Sequence, residues 1–170
     1  STLSFIDEGG DSLVYRLHEQ DRVLKLQRVP EDLSLDELSC KVACLSDEHA
    51  FVDSLYREIP DLVPPESYLI MQDPFRLISS IGILQPYFSF FNDFFEDFTW
   101  EEMRSLTETY PCFKEQLVPF IDKTLCHYDR TSTSMDLGNG RNNLVVLWTS
   151  DGPRLKILDC HKKHTPELLA

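Results

Sequence analysis

One feature narrows the folds open to this chain more than any other: a single long helical stretch set between blocks of short β-type runs. In "SLDELSCKVACLSDEHAFVDSLYREI", Leu38, Val42, Leu45, His49, Val52 and Tyr56 recur every three or four residues, the period of one helix face. Pro60 closes the stretch, and Ser46 with Asp47 could cap a second helix inside it. Before it, "LSFIDEGGDSLVYRLHEQDRVLKLQR" carries two apolar runs with β-branched and aromatic character, a Gly-Gly turn and a polar "HEQD" turn, the pattern of an antiparallel meander. After it, "SYLIM" and "SSIGILQPYFSF" read as strands, and Pro86, which has no N–H for a ladder, marks where the chain leaves the sheet.

The second half changes character. "TWEEMRSLTETY" opens on a Thr99–Glu102 capping box, and "CFKEQLVPFIDKTLCHY" continues as helix with Pro119 tolerated near its start. A hairpin, Leu144–Leu147 and Arg154–Leu158 around "TSDGP", follows. In "FSFFNDFFEDF", Phe91, Phe94, Phe95 and Phe98 have helical spacing, usually a sign of core, and the density of aromatics points to a partner groove as the less common use. The expected architecture is α+β with a small sheet leading: one domain of 170 residues, with residues 1–84 as a first lobe and 85–170 as a reduced second one.

Charge excludes more than it selects. With 16 Lys+Arg against 29 Asp+Glu, the net charge of −13 opposes phosphate backbones and anionic lipid, so no nucleic acid and no membrane are expected as partners. No apolar run is long enough to span a bilayer, and the acidic first ten residues lack the basic-then-apolar order of a secretory signal. Five cysteines without a scaffold rhythm predict free thiols and a cytoplasmic working site. Cys40 and Cys44, one helical turn apart, are expected to pack. "CHKKH" at 160–164 has metal-ligating residue types but no partner cluster at a zinc spacing, and reads as a solvated basic tail.

The closing hairpin is flanked by hard-oxygen side chains. Asn143 precedes its first strand and Asp159 follows its second, so a tight hairpin brings them together as a Mg²⁺ pair. Asp136, seven residues before Asn143, is placed to act as a base or positioning carboxylate. Each residue alone is equally at home as a turn former.

In combination, "DLGNGRNNLVV" followed by "LKILDCH" resembles the catalytic loop and metal-binding aspartate of the protein kinase superfamily. The resemblance implies Asp136 as the catalytic-loop aspartate, Asn143 as the metal-binding asparagine, and Asp159 as the metal-binding aspartate of a "DCH" in place of Asp-Phe-Gly. His127 in "TLCHYDRTSTSMD" stands about the usual helix-to-loop interval before Asp136. The front segment "EGGDSLVYRLHEQDRVLKL" is similar to the nucleotide-covering strand-turn-strand, above all to its form in aminoglycoside and choline kinase relatives.

On that resemblance Gly9, Gly10 and Ser12 face phosphates, Lys25 pairs them, Glu48 holds Lys25, and Gln85 to Tyr87 form a hinge against the nucleotide. It implies ATP with Mg²⁺ or Mn²⁺, and transfer of the γ-phosphate to a protein hydroxyl. The chain departs from the family in several places. Two extra residues separate Asp136 from Asn143, and Ser134 and Met135 replace His-Arg, which leaves Asn142 as an alternative ligand and Asp129 as an alternative base. Asp7 and Ser12 stand where protein kinases usually carry glycines. Eleven residues follow Asp159, too few for an activation segment or a peptide platform. Such brevity resembles the compact kinases that bacterial pathogens inject into host cells, which implies a host protein as acceptor. A catalytically silent interaction module and a fragment of a small-molecule kinase are the competing expectations.

Overall fold

The structure is a computed structural model that describes residues 2–8, 12–27, 29–30, 33–72, 79–133, 137 and 142–159. It is α+β: a five-stranded antiparallel sheet, a three-stranded sheet and three helices. The chain divides into two compact units, one formed by residues 1–47 and 65–87, the other by 48–64 and 88–170. The second unit thus takes in a segment from within the first half of the sequence, where two continuous lobes were expected.

The first unit begins with β1 (Leu3–Glu8), β2 (Ser12–Leu17) and β3 (Arg22–Gln27), the expected meander. β4 (Ser67–Gln72) and β5 (Ser79–Pro86) complete the sheet in the order β1-β2-β3-β5-β4, every neighbour antiparallel. Pro86 is the last residue of β5, opposite Arg22, where its missing N–H costs the ladder least. β1 carries a bulge between Phe5 and Asp7 and ends on two acidic residues, features that discourage pairing at an edge.

Between β3 and β4 runs α1 (Leu35–Tyr56), one uninterrupted helix. Ser34 and Glu37 close its start reciprocally: the Ser34 N–H donates to Glu37 Oε2 at 2.8 Å, and the Glu37 N–H to Ser34 Oγ at 3.3 Å. The Ser34 hydroxyl also donates to Glu37 Oε2 at 2.7 Å, and this bond, with the one from the Ser34 N–H, holds the Glu37 carboxyl below its ordinary value. Ser46 and Asp47 start no second helix, because both face solvent, where their side chains do not compete for buried backbone groups. Leu38, Val52 and Tyr56 of the expected stripe are fully buried, and Val42, Leu45 and His49 partly so.

The second unit holds β6 (Phe91–Asp93), α2 (Trp100–Thr109), α3 (Pro111–Thr131), β7 (Leu144–Thr149) and β8 (Gly152–Ile157). The Thr99–Glu102 capping box forms as expected. Pro111 occupies the first turn of α3, where an N–H is dispensable, whereas Pro119 lies inside the helix rather than near its start. The core joins Val52, Tyr56, Ile59 and Leu62 to Phe113, Leu117 and Phe120 of α3 and to Leu144, Val146, Leu155 and Ile157 of the hairpin. The chain after α1 is tied to β8 by the Ile157 N–H, which donates to the Leu62 carbonyl at 2.9 Å.

Candidate functional site

The first unit arranges three of the expected nucleotide-site residues on one sheet face. Lys25 lies within β3, directly opposite Val14 on β2 and Ile83 on β5. Side chains alternate along a strand and match across a ladder, so Ser12, two residues before Val14, and Gln85, two after Ile83, share the face of Lys25. Tyr68 on β4 lies opposite Ile83 on the same face, and its hydroxyl donates to the Leu45 carbonyl of α1 at 3.3 Å. The helix therefore lies over the lysine-bearing face.

The hinge residues are fixed by their own unit. Gln85 is buried, and its amide nitrogen donates to the Glu66 carboxylate, which also accepts from the Tyr68 hydroxyl. That side chain braces the sheet. Tyr87 donates its N–H to the Asp21 carbonyl at 3.0 Å, and the Arg16 guanidinium sits 3.8 Å above its ring. Gly9 and Gly10 lie outside the described residues.

The second unit holds the hairpin pair. The Asn143 carbonyl accepts the N–H of Leu158 at 2.7 Å and that of Asp159 at 3.4 Å, so the two expected metal ligands are joined through backbone. Both are part-buried. Asn142, the alternative ligand, has φ 65°, a left-handed conformation that asparagine adopts readily. Its N–H donates to Asp93 Oδ2 at 2.5 Å. Asp129 is exposed near the end of α3, and Asp136 lies outside the described residues. Glu48 belongs to the α1 segment of this unit and is part-buried.

Two buried polar residues that the sequence did not single out hold this loop and hairpin. Asp93 is 3% exposed; its Oδ1 accepts the N–H groups of Phe95 and Glu96 at 2.8 and 2.9 Å while Oδ2 takes that of Asn142. One carboxylate thus closes the turn after β6 and fixes the backbone one residue before Asn143. Gln116 on α3, 4% exposed, donates to the Pro60 carbonyl at 2.8 Å and accepts the Leu155 N–H at 2.9 Å. It holds β8, four residues before Asp159. Lys156 also donates to the Asp61 carbonyl. Burial pushes its ammonium below the ordinary lysine range, Asp61 works against that shift, and Arg154 adds to it.

Some expectations are corrected. The Phe-rich segment is not helical: Phe91 to Asp93 form β6 and residues 94–96 turn, because backbone N–H groups there are taken by the Asp93 side chain rather than by a helical ladder. Phe94 and Phe98 pack against the core, but Phe95 is 55% exposed. Cys40 and Cys44 are exposed instead of packed, since they lie off the Leu38–Val42–Leu45 stripe. Cys40, Cys44, Cys112 and Cys126 are unpaired; Cys160 and the rest of "CHKKH" lie outside the described residues.

The donor chemistry of Asn143 and Asp159, a carboxamide and a carboxylate, fits Mg²⁺, which takes one or two protein oxygens and completes its shell with water and phosphate. Among the described residues no group of three or more His, Cys, Asp or Glu could hold a metal by itself, and no helix is long and apolar enough to cross a membrane. No protein-family model, curated protein or solved structure matches the chain.

Proposed function

We propose that the chain is a kinase-like phosphotransferase that uses Mg-ATP, with a hydroxyl of a protein, a host protein in the effector reading, as acceptor. The observation that carries the reading is the β7–β8 hairpin, whose ends join Asn143 and Asp159 through one carbonyl. The order of the first unit supports it: three antiparallel strands, a helix, two more strands, and a lysine in the third strand on the face the helix covers. Protein kinases carry their phosphate-pairing lysine on that strand and hold metal with an asparagine and an aspartate of these kinds.

When bound, Mg²⁺ supplies neutralisation of the charge on the phosphate oxygens. Lys25 binds the α- and β-phosphates and Glu48 keeps the ammonium in place. Asn143 and Asp159 orient the phosphate end, with Asp93 fixing the loop before Asn143 and Gln116 the strand before Asp159. Asp136 orients the acceptor hydroxyl and accepts its proton. In a chain of net charge −13, the lysine and the metal are what admit a polyanionic nucleotide.

Incubation with Mg- or Mn-ATP and a host-cell lysate, followed by mass spectrometry of phosphate incorporation, tests the reading against Lys25→Ala and Asp159→Asn. Incorporation by the native chain that both variants lose is the expected result. Incorporation that survives Asp159→Asn removes the metal assignment. Absence of incorporation together with ATP-dependent thermal stabilisation would leave a nucleotide-binding, catalytically silent module.

A further inference from the structure

The three-stranded sheet of the second unit ends in an aromatic rim that the proposed phosphotransfer does not use. Phe90 is 82% exposed and has φ 63°, a left-handed conformation that a bulky L-residue rarely adopts. It is held there by the ladder: the Trp148 N–H donates to the Phe90 carbonyl at 3.2 Å, extending the Phe91↔Leu147 register by one position. Trp148 is itself 40% exposed.

The indole of Trp148 is fixed and its N–H is already satisfied. Nε1 donates to Asn92 Oδ1 at 2.9 Å; Asn92, opposite Val146, lies diagonally across the same face. Asn92 Nδ2 in turn donates to Asp97 Oδ2 at 3.3 Å, and Asp97 Oδ2 also takes the Asp93 N–H at 2.8 Å. With its N–H taken, the part-exposed indole offers its aromatic ring, which attracts cations, beside the exposed carboxylate of Asp97. Glu96 and Phe95 are exposed in the adjoining turn. Arg154, opposite Leu147, points to the other face of the sheet and does not compete.

We propose that Phe90 and Trp148 form a docking site for a basic, arginine-bearing segment of a partner protein. The guanidinium stacks on the Trp148 indole, an apolar neighbour covers Phe90, and Asp97 pairs the flanking cation. Charge selects this occupant: exposed Glu96 and Asp97 beside the rim, on a chain with 29 acidic against 16 basic residues, repel a second copy and anionic lipid and favour a cationic segment. The fixed indole makes the site preorganised, which lowers the entropic cost of docking.

The test titrates the full chain with a twelve-residue peptide of alternating Arg and Leu, following the Trp148 indole N–H signal by NMR and affinity by calorimetry. A peptide with Glu in place of Arg is the control. The expected result is a saturable shift of that signal with the Arg peptide alone. Phe90→Gly should weaken affinity about tenfold, as should Trp148→Thr. Phe90→Gly should also raise the melting temperature, since glycine adopts φ 63° freely. The proposal is overturned if neither variant changes the affinity, which would make binding general charge attraction. It is also overturned if the Arg peptide fails to bind, or if the rim instead mediates self-association or binding to phosphatidylcholine vesicles.

Discussion

Replacing Gln116 by leucine removes the one side chain that satisfies both the Pro60 carbonyl and the Leu155 N–H. The buried Leu155 N–H left without a partner costs about 1–3 kcal/mol, and the lost bond to the carbonyl of Pro60, an exposed residue, about 1 kcal/mol. The added apolar surface of leucine returns about 1 kcal/mol, so the net loss should be about 1–3 kcal/mol. Both tryptophans, Trp100 and Trp148, belong to the second unit, so tryptophan emission during urea unfolding follows that unit alone. With a slope of about 2 kcal/mol per molar urea, the midpoint should fall by about 0.5–1.5 M. Gln116→Glu separates the two bonds. Its carboxylate still accepts the Leu155 N–H, but it can donate to the Pro60 carbonyl only when protonated. Burial raises the folded pKa of such a glutamate above its unfolded value. The variant should therefore stand near the native protein at about pH 4.5 and lose ground as pH rises through the folded pKa. A loss below about 0.5 kcal/mol for Gln116→Leu, or a Gln116→Glu deficit that is flat between about pH 4.5 and 7.5, would refute the bridging role.

Gly152 has φ 112° and an added Cβ would meet the Tyr110 ring at 3.0 Å, so Gly152→Ala should destabilise the second unit by roughly 1–3 kcal/mol, read from the same urea curves. The Tyr56 hydroxyl is pushed up to about 12, chiefly by burial, with its hydrogen bond to Thr124 acting the other way. Because the folded value lies above the unfolded one, its contribution is complete below about pH 10 and disappears as pH rises through about 12. Tyr56→Phe should cost about 1 kcal/mol at neutral pH, a modest loss because Thr124 keeps its bond to the Phe120 carbonyl. The native-minus-variant difference should then shrink and reverse across that alkaline window; a difference constant from pH 9 to 12 would contradict the burial argument.

Local patterns carried most of the fold. The α1 stripe, the meander, the Thr99–Glu102 box and the closing hairpin all rest on interactions spanning a few residues, which period and turn chemistry expose. The Asn143–Asp159 pairing was legible for the same reason, since the hairpin between them is tight. Asp93 and Gln116 were not legible: the local bonds of Asp93 to Phe95 and Glu96 look like an ordinary turn, while the partners that make each residue an anchor, Asn142 for Asp93 and Pro60 and Leu155 for Gln116, lie 49, 56 and 39 residues away. The Phe-rich segment misled because four phenylalanines at helical spacing also suit a short strand and a turn, once an aspartate side chain captures the N–H groups a helix would have used. Ser46 and Asp47 looked like a boundary but are simply solvated positions on a long helix.

The segment 48–64, placed early in the sequence yet packed with the late hairpin, has a consequence for biosynthesis. As the chain leaves the ribosome, the five strands of the first sheet can pair once Pro86 has emerged. Val52, Tyr56, Ile59 and Leu62 can meet Phe113, Leu117 and Phe120 first but must wait for Leu155 and Ile157, nearly a hundred residues later, before their core is complete. At about 5–20 residues per second this interval lasts about 5–20 s. The nascent chain is therefore a client for chaperones during that window, and slowing translation after residue 87 lengthens the exposure.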